Sequence, residues 1–180
     1  SSIYGSGAIG GTIHITTKKG EPGFKKDVNV STGSHGTNNL STSFSGGDES
    51  KNYYFGLQRF DTDGISQMDH NSEKDRYRNN GLVFSFSNKF SDTLKMQTNA
   101  RLADTYLQYD AVCVSSLFGC SANRDHSEDV DALESSLNFS LIHNPMEKLT
   151  NKFTVANTYI ERTYNAAPGS KNTAQDNYYG

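Results

Sequence analysis

From Val28 onward the chain alternates apolar and polar positions with a period of two. Leu94, Met96, Thr98, Ala100 and Leu102 fall on one face of an extended segment, with Lys95, Gln97, Asn99 and Arg101 on the other. Between Val130 and Ile142, Leu133, Leu137, Phe139 and Leu141 oppose Glu134, Ser136, Asn138 and Ser140. Leu82, Phe84 and Phe86 repeat the pattern, as do Tyr53, Phe55 and Leu57, then Leu40, Thr42 and Phe44, and then Phe153, Val155 and Tyr159. Successive side chains of a strand point to opposite faces, so this period predicts strands with one apolar and one polar side. About seven are expected, near 24–33, 37–46, 51–61, 79–90, 93–107, 130–143 and 148–163. No segment repeats its apolar residues at three and four over several turns, which argues against helices.

The connections carry the next step. Gly46 to Ser50, Ser91-Asp92 and Asn144 to Glu147 read as short turns, whereas 61–78, 107–129 and 164–180 read as long polar loops. Short turns at one end and long loops at the other, joining strands of about ten residues, are the pattern of an antiparallel transmembrane β-barrel. A soluble β-sandwich also alternates, but its strands average five or six residues.

Composition agrees with a wet face and an apolar face. Only 33% of the 180 residues are hydrophobic and there is no tryptophan. Mean hydropathy is -0.70. Ten tyrosines and ten phenylalanines at regular intervals argue against disorder. No apolar stretch is long enough for a membrane-spanning helix, which leaves a barrel open. A net charge of -3, with the basic residues scattered, leads us to expect no nucleic-acid partner.

The first twenty residues, SSIYGSGAIGGTIHITTKKG, raise a separate question. Gly5, Gly7 and Gly10 supply G-x-G-x-x-G, but a phosphate-binding fingerprint needs a helix to begin at the last glycine. Here Gly11 is followed by Thr12-Ile13-His14-Ile15-Thr16-Thr17, a β-branched alternating run. Gly5, Gly7, Gly10 and Gly11 are therefore read as a tight turn feeding a strand. There is neither an initiator methionine nor a signal peptide, and we expect an internal piece of a longer chain.

Tyr4-Gly5, Ala8-Ile9-Gly10-Gly11, Ile13, Ile15 and Thr17-Lys18 strongly resemble the end of the plug domain of TonB-dependent outer-membrane receptors. Asp61 to Ser66, Glu73 to Asn79 and Asp104 to Asp110 are similar to strand exits and loops of the cobalamin-receptor branch, with Arg76 standing where the family often has glycine. The resemblance implies a barrel of about 22 strands closed around a plug. In that scheme residues 1–20 end the plug, 21–23 link it to the wall, and 24–180 form roughly the first third of the barrel. The implied function is energy-coupled import of cobalamin or a similar large, scarce solute across the outer membrane of a Gram-negative bacterium. The partners would be outer-membrane lipid, the ligand, and TonB through a segment outside this chain. A siderophore or haem receptor of the same architecture is the first alternative. An adhesin or a rim protease built on a barrel is the second.

The same resemblance implies calcium in the extracellular loops, carried over by motif position to Glu73, Asp75, Asp110 and Asp125. Calcium takes six to eight oxygen ligands, which loops rich in carboxylates can supply; solvated, mutually spaced acids are the other reading. Tyr106 and Tyr109 could stack on a ligand, although tyrosine is also the usual residue of barrel girdles. Cys113 and Cys120 would close a small disulfide ring in an extracellular loop and would be two thiols in a reducing compartment. No nucleophile motif is present, and no catalytic activity is expected.

Overall fold

The computed structural model describes residues 18–66, 74–110, 127–166 and 170–179. They form eight strands: β1 (Gly23–Thr32), β2 (Asn38–Gly47), β3 (Lys51–Thr62), β4 (Tyr77–Lys89), β5 (Leu94–Asp110), β6 (Ser127–Met146), β7 (Leu149–Ala166) and β8 (Ser170–Tyr179). Each strand pairs antiparallel with the next, giving one open sheet in chain order. No helix occurs among the described residues.

The strands outrun the sequence-based bounds at the loop end. β5 continues to Asp110 and β6 begins at Ser127, so the loop expected over 107–129 narrows to 111–126. A long loop was expected over 164–180, but β7 reaches Ala166 and an eighth strand lies at Ser170–Tyr179. That strand, SKNTAQDNYY, has no apolar alternation. It is held by its pairing with β7, from Asn157↔Tyr179 to Ala166↔Ser170, and backbone pairing leaves no mark in side-chain periodicity.

Tight turns close the other end. In the β2–β3 turn, the Asp48 carboxylate accepts hydrogen bonds from the backbone N–H groups of Ser50 and Lys51, at 2.7 and 2.8 Å. Between β4 and β5 the Ser91 hydroxyl accepts from the Leu94 N–H at 3.1 Å. At the loop end, β1 and β2 are joined by a short hairpin in which His35 and Gly36 both take positive φ, 57° and 67°. The Thr37 N–H closes that turn on the Ser34 carbonyl at 3.1 Å. Two consecutive left-handed residues suit the twist of a hairpin, and glycine takes the second without steric cost.

The register joins the apolar positions of all central strands into one continuous face. Thr42 faces Leu57, Phe44 faces Phe55, Phe55 faces Phe84, Leu57 faces Leu82, and Leu82 faces Leu102. Across the next pairs, Met96 faces Leu141, Thr98 faces Phe139, and Phe139 faces Val155. This face is bare: Val28, Leu40, Phe44, Leu57, Leu102, Leu137, Phe153 and Val155 are all exposed. The opposite face bounds a hollow of about 770 Å³ whose lining includes the polar Asp27, Asn29, Ser41, Ser43, Gln58, Asn79 and Arg101 together with Tyr54 and apolar residues such as Val30 and Val83. The buried polar side chains sit there: Ser45, Ser85, Ser87 and Ser140. Among the described residues the one buried hydrophobic is Ala103, also on the polar face. The sheet thus hides serines and shows leucines, the reverse of burial in water.

Candidate functional site

The polar face changes character toward the loop end. Its middle carries hydrogen-bonding groups: Ser140 with Thr154 at 3.0 Å, and Asn79 donating to Thr105 at 2.7 Å. Arg101 and Arg162 grip the two oxygens of Glu134 at 3.2 and 3.3 Å, a shared carboxylate that leaves one positive charge on the wall. One step beyond, apolar side chains take over. Tyr77, Leu107, Val130 and Tyr164 are direct register partners across β4, β5, β6 and β7. With strands about 4.8 Å apart, this row spans about 14 Å. Phe60 adds its ring 5.8 Å from that of Tyr77, at a tilt of 56°. Beyond the row, Tyr109 lies against Glu128, its register partner, with Tyr164 nearby.

This mouth is an apolar and aromatic shelf above a polar wall. It suits a solute with a flat or greasy surface, which would be held by ring contacts and area burial, with Glu128 accepting hydrogen bonds at one edge. Leu107 and Tyr164 remain partly open to solvent, so the shelf is accessible.

The described ends of the 63–76 connection, at Asp63 and at Lys74 to Arg76, are held beside the mouth. The Asp63 N–H donates to the His35 carbonyl at 2.9 Å, and the Thr62 and Thr37 hydroxyls meet at 2.9 Å. Lys74 pairs with Asp63 at 2.9 Å. Arg76 embraces both oxygens of Asp61, at 3.2 and 3.0 Å, and its carbonyl accepts from the Gln108 N–H at 2.8 Å. The guanidinium at position 76 thus clips the foot of the loop to the end of β3, a geometric use for arginine that glycine could not supply.

The nominated residues divide as follows. Tyr106 and Tyr109 are three apart in a strand and therefore sit on opposite faces. Tyr109 shares the mouth face. Tyr106 stands on the apolar-side face, where Arg78 lies over its ring at 5.6 Å and Asp131 is its register partner. Asp75 is half-buried in the 63–76 connection, and Asp110 is the last residue of β5. Asp61 and Asp63 are committed to Arg76 and Lys74, and among the described residues no three metal-ligating side chains converge. The described acids alone do not compose a calcium site. Glu73, Asp125, Cys113, Cys120 and the turn glycines Gly5, Gly7, Gly10 and Gly11 lie outside the described residues.

Phe60, Tyr77, Leu107, Val130 and Tyr164 escaped the sequence reading. Their signal was available: in β3 to β7 a polar-side position close to the loop end, Phe60, Tyr77, Leu107, Val130 or Tyr164, breaks the alternation with an apolar or aromatic residue. At the other end, Lys18 lines the hollow. A Cβ on Gly20 would collide with the backbone carbonyls of Tyr53 and Gly46, so the link 18–22 needs glycine where it passes close to the backbone of β2 and β3.

Comparison with protein-family models, with curated proteins and with solved structures returns no match.

Proposed function

We propose that this chain is wall and plug-end sequence of a TonB-dependent outer-membrane transporter that imports cobalamin or a similar large solute. The observation that carries the reading is the inverted sheet: a continuous bare apolar face backed by a hollow lined with serine, asparagine and charged groups. Such a face has a partner in lipid, and such a hollow has one in a wet lumen. Strands of up to 20 residues exceed what a bilayer crossing requires and carry the mouth beyond the apolar band. Lys18 lines the hollow, and the link from Lys18 to Glu21 lines a second one of about 700 Å³ that shares Asp27, Ser43 and Tyr54 with it, where a chain entering the lumen would pass.

In this reading the shelf of Phe60, Tyr77, Leu107, Val130, Tyr109 and Tyr164 meets the solute first. The polar wall keeps the lumen hydrated, and the upstream plug closes it until TonB acts. The role is transport without covalent chemistry. Calcium on Glu73, Asp75, Asp110 and Asp125 would order the loops. Calcium-dependent protection of 63–76 from proteolysis, lost in Asp75→Ala with Asp110→Ala, is the expected result; protection unchanged by that pair sinks the calcium assignment.

The test of function uses the intact protein in proteoliposomes. Cobalamin should bind, and Tyr77→Ala with Tyr164→Ala should weaken it about tenfold or more. Binding of a ferric chelate or haem in place of cobalamin moves the assignment to the sister branch. Binding of none of these, or free leakage of small solutes through the intact protein, overturns the transport reading.

A further inference from the structure

The link that leads into β1 is packed at one residue and open at its neighbours. Lys18, Lys19 and Glu21 are exposed, whereas Gly20 is half-buried. It lies on the polar face, in the hollow it shares with Lys25, Asp27, Ser43, Ser45 and Tyr54. The contact is backbone on backbone: a Cβ at position 20 would stand 2.8 Å from the Tyr53 nitrogen and closer still to the carbonyl oxygens of Tyr53 and Gly46. Gly46 and Tyr53 are register partners in β2 and β3, so their backbone cannot give way as the end of a flexible side chain could. Three residues on, Gly23 takes a φ of 91° and turns the chain into β1. A Cβ there would meet nothing within 4 Å, so the turn itself is unpacked and would serve as a swivel. It is held from both sides. Gly20 is seated before it, and Glu21 pairs with Lys25 across it.

We infer that the link is a fixed seat and not a hinge: Gly20 locks onto the backbone of β2 and β3, Gly23 stays closed, and a pull on the chain before Lys18 stops at Gly20 without reaching the wall. The inference rests on the transport reading above, in which a plug end moves against a standing wall and loads this joint. Gly20 carries the hold. An exposed lysine–glutamate pair contributes little in water, whereas a side chain forced against the backbone of two paired strands is accommodated by lifting the link off them. Gly81, on the same face, gives the contrast. The atoms nearest to a Cβ there lie 3.9 and 4.0 Å away, an ordinary contact.

The experiment is trypsin cleavage after Lys18 and Lys19 in the intact protein folded in mild detergent. A protease takes up several residues around the cut bond, so cleavage waits for the link to lift and reports how often it does. Gly20→Ala should speed it about tenfold, Gly81→Ala should leave it unchanged, and Glu21→Gln should alter it less than about threefold. A nitroxide on Pro22→Cys, with Gly20 kept, should be immobilised on the nanosecond scale, and this decides the seat if Gly20→Ala fails to show the heat-dependent gel mobility of a folded barrel. Glu21→Cys with Lys25→Cys, joined by a short bis-thiol cross-linker, then locks the turn at Gly23. Uptake of cobalamin by cells carrying that variant should be the same before and after cross-linking. Cleavage unchanged in Gly20→Ala, a freely tumbling label, or uptake abolished by the cross-link overturns the inference. A variant that takes up no cobalamin even before cross-linking counts against the transport reading, while cleavage and label mobility still decide the seat.

Discussion

Leu137 is the position at which a membrane face and a merely exposed face predict different energies. It lies midway along the apolar row of β6 from Leu133 to Leu141, faces Ala100 and Asn157 on the neighbouring strands, and is 52% exposed. At about 3.3 Å per residue the row rises about 26 Å along the strand, or about 20 Å along a bilayer normal for a tilt near 40°. That approaches the ~25 Å apolar band of outer-membrane barrels and puts Leu137 near its midplane. Leu137→Arg should then cost about 2–4 kcal/mol in lipid, the penalty for a basic side chain at that depth. On a water-exposed sheet the same change should stay within about 0.5 kcal/mol. The control is Asn138→Arg on the hollow side, where a wet lumen solvates the charge and the cost should stay near that of an ordinary surface change. Both are measured on the intact protein by denaturant unfolding in bilayer vesicles, followed by far-UV circular dichroism and gel mobility. A cost below about 0.5 kcal/mol for Leu137→Arg, or an equal cost for both variants, refutes the assignment of faces.

Two further predictions concern the ends of the sheet. The Asp48 carboxyl is held below its ordinary range, first by the hydrogen bond from the Ser50 hydroxyl and then by the Lys51 and Ser50 N–H groups. Its contribution is therefore present above the usual carboxylate value of about 3.9 and is lost as pH falls through the lower folded value. Asp48→Ala should lower the unfolding midpoint at neutral pH, and the difference from wild type should shrink below about pH 4; a difference independent of acid rules this out. Gly36→Ala places a Cβ on a residue with φ of 67° and 2.8 Å from the Asp63 carboxylate. It should destabilise the hairpin by about 1–2 kcal/mol and speed proteolytic cleavage within 63–76, whereas unchanged cleavage would separate that loop from the hairpin.

The sequence disclosed those parts of the fold that side chains pay attention to. The parity of Leu94 to Leu102 and of Leu133 to Leu141 is a statement about which face each residue occupies, and a slip of one residue would exchange the faces. The register keeps every one of those positions on the apolar side. β8 was invisible for the complementary reason. Its contacts with β7 are made by N–H and C=O groups that every residue carries, so no choice of side chain announces them. The extensions of β5 and β6 past Leu107 and Val130 were hidden in the same way, because polar residues such as Gln108 and Asp129 pair as readily as leucines do.

The mouth shows how a site can be written in the failures of a pattern. Alternation was used to find strands, so Phe60, Leu107 and Val130 counted only as imperfect matches on a polar face, while Tyr77 and Tyr164 fell in the expected loops 61–78 and 164–180. Each is tolerable alone, since isolated apolar residues on wet surfaces are ordinary. Their meaning depends on register, which places Tyr77, Leu107, Val130 and Tyr164 in one line although up to 87 positions of sequence separate them. Tyr106 makes the converse case. Next to Leu107 and three residues from Tyr109, it reads as part of the same loop entrance, yet the pleat turns it outward to stack with Arg78. A ligand entering from the loop end would therefore meet Tyr109 and Leu107 and miss Tyr106, so Tyr106→Ala should leave ligand affinity unchanged while Tyr109→Ala weakens it. Equal losses in both variants would mean that the solute is recognised by the rim as a whole and not by the inner shelf.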